Sequence, residues 1–539
     1  MKLTSNHQTW FRQIGILDQQ GVASLRKSVD GDDDGIMAML VLSSQLGAFR
    51  SDQGFLRINR EPDEEIRAEL VRGLTYPFPR DWNQASEIFE SLGMDIRVRR
   101  LEEDSDIWIG KPPSTQLRKS AGLWMIHGNG RAICGIGSME EIPIRNVPST
   151  MIDSPTLICG VSSLVHRLLD EEGLFWKVPI SDRWLTLTAR VDELTPEQAL
   201  ESISSRFGHG TSTSLADGSG SLIRFRIPLE ETPPELLESI DQPRNPPRQK
   251  MKIADVGPFP AVSDSGEVSF HGKPIPVSSS GGNFFILGAG GTGSWASTMI
   301  LSGCAPDSNL TIVDGDNAVE DHNLNRQVLY QERDLGLPKA TAAKISLSRM
   351  FPDSNSRVLA IPASFGPRHA MQNHPTDPDD LALEEIIGDD AENDEAIISS
   401  LGSMDVALSC LDNQLARTWL NRACSDRGKT MVNGGSEGER GVVEIFADGS
   451  CMVCRYGEVE ANSSEVVSCQ EEGTRPVPSI VTSTAYVGSM MAAIALCVVA
   501  SEKSVMQDIP QDRDWCSGET KKRTTGRLPW YDSSCSSHL

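Results

Sequence analysis

In the second half of the chain, short apolar runs alternate with longer segments of helical period. Apolar runs at Phe284–Leu287, Leu310–Val313, Arg357–Ile361, Val406–Cys410, Thr430–Val432 and Val442–Phe446 carry β-branched and aromatic side chains between turn formers, the pattern of buried strands. With helical segments between several of them, this order predicts an α/β domain built on a mainly parallel sheet. In the first half, helical patterns at Ile66–Arg72 and Asn83–Leu92 mix with strand-like runs at Gly122–Ile126 and Leu222–Ile227, so it reads as α/β or α+β. Thr156–Gly160 followed by VSSLVHRLLDEEG reads as strand, tight turn and helix, either a plain strand-helix unit or a degenerate copy of the second half's opening. Pro, Gly and Ser crowd the stretch between, so the expected organisation is an N-terminal domain over 1–230, a linker over 231–282 and a C-terminal domain over 283–539. Ile480–Ala500 is long and apolar enough for a membrane span, but its Thr482, Ser483, Thr484 and Ser489 and its lack of a basic flank predict a buried core helix.

Length and charge narrow this picture. A chain of 539 residues exceeds what one core usually supports, in keeping with two or three domains. With 75 acidic against 50 basic side chains the formal charge is -25, which disfavours nucleic acid and anionic membrane surfaces as partners. The first twenty residues hold no apolar core of signal-peptide type, and a cytoplasmic location is expected. The 11 cysteines do not form a dense disulfide framework and point to metal or catalysis only where they cluster, near the end. Asp377–Glu395 is an acidic patch, read as a solvated helix or insert, or as a docking surface for a basic partner.

The chemistry begins after the first strand of the second half. Gly288-Ala-Gly-Gly-Thr-Gly293 turns the chain into a helix, and its small residues, among them Gly290 and Gly291, let the backbone approach a phosphate at a helix N-terminus. The next strand ends at Asp314, where a carboxylate can hydrogen-bond ribose hydroxyls. To this point an NAD-dependent oxidoreductase fits equally well. Asp321-His-Asn-Leu-Asn-Arg-Gln327, Gly336-Leu-Pro-Lys339 and Leu411-Asp412-Asn413 then add polar and cationic groups that a dinucleotide enzyme does not need.

Taken together, these motifs resemble the ThiF/MoeB family and the related ubiquitin-activating enzymes, over roughly residues 281–538. The resemblance implies a Rossmann-like fold and ATP-dependent adenylate formation at the strand ends. It makes Asp314 the ribose ligand, Asn323, Arg326 and Lys339 the phosphate ligands with Gln327 in the same set, and Asp412 the magnesium ligand. The roles agree with chemistry. A carboxylate attacking the α-phosphate of ATP spreads negative charge onto phosphate oxygens and departing pyrophosphate, so catalysis needs positioning and countercharge. Arg326 and Lys339 provide countercharge, and one carboxylate with phosphate oxygens holds magnesium.

Cys451 and Cys454 have the spacing of half a tetrahedral zinc site. Family members often close such a site with a second pair near the C-terminus. Here Cys535 and His538 repeat the spacing with a thiolate and an imidazole, Cys516 being an alternative ligand; a frayed polar tail is the other reading of His538. Cys469 resembles the position of a family cysteine near the adenylate and reads either as a thioester-forming nucleophile or as a loop cysteine without a role.

The expected activity is adenylation of the C-terminal carboxylate of a ubiquitin-like protein, followed by transfer to a thiol, with ATP, magnesium and zinc as cofactors. The alternatives are sulfur-carrier activation for cofactor or thiolated-nucleoside synthesis, and a non-catalytic scaffold. The resemblance extends to bacterial ubiquitin-like conjugation systems, some serving in defence against phage, and implies a ubiquitin-like or sulfur-carrier protein and a conjugating enzyme as partners. Family members work as dimers or pseudo-dimers in which a neighbour contributes an arginine to the ATP site. A homodimer or an intramolecular pseudo-dimer is therefore expected, the residues not singling out that arginine.

Overall fold

The computed structural model describes residues 27–46 apart from side chains within them, 57–58, 106–110, 122–137, 154–175, 180–181, 184–190, 212–215, 222–228 and 253–259 of the first half. It also describes isolated positions there, among them 13, 16, 17, 22, 25, 261, 268 and 270, and residues 281–370, 391–447, 449–457, 479–500, 512–516 and 519–522 of the second half. The helical patterns at Ile66–Arg72 and Asn83–Leu92, residues 377–390 of the acidic stretch, Cys469, Cys535 and His538 lie outside the described residues.

The first half contributes β1 (Ser28–Gly31), α1 (Asp33–Gln45), β2 (Arg57–Ile58), β3 (Ile107–Gly110), β4 (Leu123–Gly128), β5 (Arg131–Ile136) and α2 (Ser154–Glu171). After these come β6 (Ile180–Ser181), β7 (Trp184–Arg190), β8 (Ser212–Leu215) and β9 (Leu222–Pro228), which form a separate antiparallel sheet in the order β6-β7-β9-β8. The main sheet of this half runs β10-β5-β4-β3-β1-β2, with β10 (Ile253–Asp255) drawn from the stretch expected to be a linker. That expectation is corrected: Pro and Gly dominate the local composition, but Ala254, Val256, Phe259 and Phe270 are buried, and β10 pairs antiparallel with β5. A second correction concerns Thr156–Gly160, which is no strand but part of the 18-residue helix α2. Pro155 suits its first turn, where the N–H has no helical partner. Gly160, read as a turn, is where the helix presses on the sheet: a Cβ there would lie 2.9 Å from the Met125 sulfur and 3.2 Å from the Ala132 methyl.

The second half supplies β11 (Asn283–Leu287), α3 (Gly291–Gly303), β12 (Asn309–Val313), α4 (Lys339–Met350), β13 (Val358–Ile361), α5 (Ala391–Ser403), β14 (Val406–Ser409), α6 (Gln414–Asp426), β15 (Thr430–Glu437), β16 (Arg440–Phe446), α7 (Met452–Tyr456), α8 (Val481–Val499), β17 (Asp512–Cys516) and β18 (Glu519–Lys522). Its sheet has the order β13-β12-β11-β14-β15-β16-β17-β18, parallel from β13 to β15 and antiparallel beyond. The chain steps outward from β11 to β13 and then returns to lay β14 on the other side of β11. This reversal of strand order opens a crevice at the carboxyl ends of β11 and β14, where ligands of open α/β sheets bind.

The apolar stretch expected to be a core helix is α8, with 94% of its membrane-like window buried inside the protein. It packs against α3 on one side and α2 on the other, so both halves share one contiguous core that includes Leu157, Val161, Trp295, Met299, Tyr486 and Met490. Polar contacts join them as well. The Cys159 thiol donates to the Tyr486 carbonyl at 3.7 Å, Trp515 Nε1 donates to Ser163 Oγ at 2.9 Å, and His166 Nδ1 lies 3.1 Å from Thr482 Oγ1.

Candidate functional site

The loop leaving β11 is shaped by contacts that only small residues allow. Gly288 has φ +96, a left-handed value that favours glycine, and a Cβ on Gly293 would lie 1.9 Å from the Gly288 carbonyl. Helix α3 then begins at Gly291, with the extended Gly290 before it, so its first backbone N–H groups face the crevice without helical partners.

Asp314, at the end of β12, closes on this loop. One carboxylate oxygen accepts from Ala289 N at 2.6 Å and the other from Asp316 N at 2.8 Å, which fixes the side chain between the loop and the following turn. Burial raises its pKa above the ordinary carboxylate value, while the Lys339 ammonium pulls it back. Lys339, the first residue of α4, is buried, pairs its ammonium with Asp316, and donates its backbone N–H to the Asp316 carbonyl at 3.0 Å. Asp316 was not singled out from the sequence; its position two residues past Asp314 in IVDGD was the available signal.

Tyr330 is a second residue that motif reading passes over. Its buried hydroxyl lies 2.7 Å from the Ala289 carbonyl and 3.1 Å from the Lys339 carbonyl, joining the glycine loop to the start of α4. Burial, with the charges of Asp314, Asp316 and Asp334, holds its pKa well above the usual tyrosine value, so the hydroxyl keeps its proton.

The Asn323–Gln327 segment forms a tight turn over the same crevice. Arg326 is buried, directs its guanidinium to the His322 carbonyl and to Asn325 Oδ1 at 3.1 Å, and runs its aliphatic stem past Gly291, where a Cβ would lie 3.7 Å from Arg326 Cγ. Asn323, expected to touch phosphate, accepts the Glu320 N–H at 2.9 Å through its side-chain oxygen and so caps the turn. Gln327 is buried beside it. From the first half, Gln13 Nε2 donates to the Asn325 carbonyl at 2.9 Å and to the Gln45 carbonyl at 3.0 Å, tying the two halves together next to Arg326.

On the opposite wall of the crevice, a Cβ on Gly288 would meet the Cys410 carbonyl at 2.9 Å and Leu411 Cδ2 at 3.0 Å, so the loop after β14 abuts the glycine loop. Asp412 is exposed in that loop, and Asn413 caps α6 by accepting Ala416 N at 3.2 Å. An exposed carboxylate beside a glycine-rich loop offers the hard oxygen donor that magnesium prefers. The structure thus brings together Gly288, Gly290, Gly291, Gly293, Asp314, Arg326, Lys339 and the Asp412 loop.

Cys451 is the buried N-cap of α7 and Cys454 lies half-buried within it, two soft donors suited to half a zinc site. Among the described residues no cluster of three or more His, Cys, Asp or Glu side chains gathers to hold a metal. Cys410 lies beside the glycine loop, where a Cβ on Gly293 would come 3.3 Å from its own Cβ, but burial pushes its thiol up to about 12, which keeps it protonated.

Residues 279–513 match the ThiF family. Similar curated proteins include the adenylyltransferase and sulfurtransferase UBA4 of Eremothecium gossypii, 30% identical over 40% of this chain and 40% of that protein. The molybdopterin-synthase adenylyltransferase of Escherichia coli is 28% identical over 41% of this chain and 77% of that protein. Ubiquitin-activating enzyme E1 1 of Candida albicans is 24% identical over 39% of this chain and 18% of that protein. The chain therefore spans less than half the length of two of these three relatives. A crystal structure of E. coli MccB with ATP is 20% identical, with 48% of this chain and 67% of that chain covered and a TM-score of 0.32. The glycine loop, the acidic strand end, the Arg326 turn, Lys339 and the Asp412 loop all fall inside residues 279–513, the segment of this chain that matches the ThiF family.

Proposed function

We propose that this chain is an ATP-dependent adenylyltransferase that activates the C-terminal carboxylate of a small carrier protein. The observation that carries the reading is the convergence of Asp314, Arg326, Lys339 and the Asp412 loop on the Gly288–Gly293 turn. In the proposed step a carboxylate oxygen of the carrier attacks the α-phosphorus of ATP, the bond to the bridging oxygen of pyrophosphate breaks, and an acyl adenylate and pyrophosphate result. Arg326 and Lys339 supply countercharge, Asp314 orients the ribose, and Asp412 would hold magnesium, which neutralises charge on the phosphates when bound.

Two carriers fit this chemistry. The names of the relatives favour a sulfur-carrier protein, since two of the three above are a sulfurtransferase-linked and a molybdopterin-synthase adenylyltransferase. The E1 relative supports a ubiquitin-like protein, with Cys469 as the acceptor of a thioester. The intramolecular reading of the pseudo-dimer is supported by the shared core and by Gln13, which reaches the turn carrying Arg326.

The test incubates the full chain with ATP, magnesium and a carrier ending in glycine. An adenylated carrier, heavier by AMP, is the expected product. An enzyme–carrier adduct cleaved by excess thiol but not by a phosphine reductant, as a thioester is, then selects the ubiquitin-like reading, and a thiocarboxylate formed with an added sulfur donor selects the sulfur-carrier reading. Tight NAD binding with no adenylate would overturn both.

A further inference from the structure

A line of buried polar side chains runs from the Asp412 loop to the helix that carries Cys451 and Cys454. Arg417 of α6, itself buried, directs Nη2 to the Leu411 carbonyl, one residue before Asp412, and Nη1 to Asn433 Oδ1 at 2.7 Å. Asn433 of β15 passes the contact on: its Nδ2 donates to Glu444 Oε2 at 2.9 Å. The two residues stand directly opposite in the β15–β16 register, so the sheet itself sets this pair. Glu444 is fully buried and is met from α7, where Arg455 Nε lies 3.3 Å from Oε1 and the Tyr456 hydroxyl donates to Oε2. Asn421 of α6 adds a second tie to the start of α7, accepting Met452 N at 2.9 Å and donating to the Ser450 carbonyl at 3.2 Å.

Burying a guanidinium and a carboxylate is costly unless every part is partnered, and an apolar core of the same volume would serve stability at least as well. What the polar line adds is geometry. The Leu411 carbonyl faces a charged donor whose own position is set by Asn433 and, through it, by an anion that α7 grips with two groups. A shift of α7 would move Glu444, then Asn433 and Arg417, and then the backbone that presents Asp412.

We propose that Arg417 is a positioning residue for Asp412, and that Asn433, Glu444 and Tyr456 couple this position to the Cys451–Cys454 helix. The inference rests on the adenylation reading, in which Asp412 holds magnesium, and assigns control of that metal to residues outside the motif set.

The test measures ATP binding to the full chain across a magnesium series, with an EDTA point, and needs no carrier. Arg417→Ala and Glu444→Gln should raise the magnesium concentration that gives half its effect by about tenfold, the scale of one charge-assisted hydrogen bond, and leave ATP affinity in EDTA unchanged. Arg417→Lys should restore part of the loss. Tyr456→Phe, which keeps both charges and the fold, should shift the magnesium requirement in the same direction by a smaller factor, and it serves as the deciding variant if the others melt below assay temperature. An unchanged magnesium requirement in folded Tyr456→Phe and in any other folded variant would overturn the proposal while leaving the adenylation reading intact. Absence of ATP binding by the wild-type chain would instead overturn the adenylation reading, and the proposal with it.

Discussion

Lys339 holds its ammonium against the carboxylate of Asp316, and both charges act on the buried carboxyl of Asp314. The cation is thus held at the crevice, and the Lys339 backbone N–H on the Asp316 carbonyl keeps the start of α4 in place. Lys339→Ala should reduce adenylate formation by about 10²–10³-fold, the scale of removing one preorganised charge partner in a transition state. Asp316→Asn retains the backbone contact and should cost at least tenfold less. Steady-state rates of pyrophosphate release decide the order; equal losses would mean that Lys339 acts only through its ion pair.

Tyr330 joins the glycine loop to α4 through one hydroxyl. Tyr330→Phe leaves the buried Ala289 and Lys339 carbonyls without that donor and should destabilise the fold by about 1–2 kcal/mol. The KM for ATP should rise more than kcat falls, because the hydroxyl shapes the loop and does not meet the reacting atoms. Chemical denaturation together with initial rates separates the two effects.

Gln13 joins the halves at the Arg326 turn. Gln13→Ala would strand two buried carbonyls, at Asn325 and Gln45, at a cost of about 1–3 kcal/mol. If the first half acts in cis, ATP affinity should fall in the same variant. Thermal melting and an ATP titration on one preparation check both; lost stability with full ATP affinity would make the contact purely structural.

Cys410 lies beside the glycine loop, yet its thiol is pushed up to about 12 by burial. It should therefore resist alkylation at pH 8 in the native chain, and Cys410→Ala should leave any thiol-cleavable carrier adduct unchanged, whereas Cys469→Ala should abolish it. Peptide mass mapping after iodoacetamide treatment gives the first result and a non-reducing gel the second.

His369 Nε2 lies 2.8 Å from Asp394 Oδ1, yet burial is the larger influence and holds the imidazole below the usual histidine range. The folded protein thus keeps His369 neutral where the unfolded chain would take a proton, below about pH 6.5. Its contribution to stability is full above that pH and is lost as the pH falls toward the folded value. Melting temperatures at pH 7.5 and 5.5 should differ less for His369→Gln than for the wild type; an equal difference would remove His369 as a cause.

Much of the second half was legible because its strands are local events: Phe284–Leu287 and Val406–Cys410 are short apolar runs between turn formers, and all six strands stand where those runs stood. The charged motifs were legible because glycine, aspartate and lysine at fixed offsets from strand ends have few other uses. What local pattern could not convey is packing. Gly160 reads as a turn unless the pressure of α2 on Met125 is known, and Phe259 and Phe270 read as linker until β10 joins the sheet. Tyr330, Arg417 and Glu444 carry no motif, because their partners, carbonyls and amides and for Glu444 also a guanidinium and a phenol, are set by tertiary structure. Asn323 shows the converse case, a motif residue whose side-chain oxygen serves the turn's own backbone.

Exchange of labelled pyrophosphate into ATP reads the reversal of the proposed adenylate transfer in this crevice directly. With magnesium and a small carrier protein ending in glycine, the full chain should catalyse carrier-dependent exchange, and Asp412→Asn and Arg326→Ala should each lower it by at least about 10²-fold. Undiminished exchange in Asp412→Asn would contradict the magnesium assignment, and tight NAD binding without any exchange would contradict adenylation by this chain altogether.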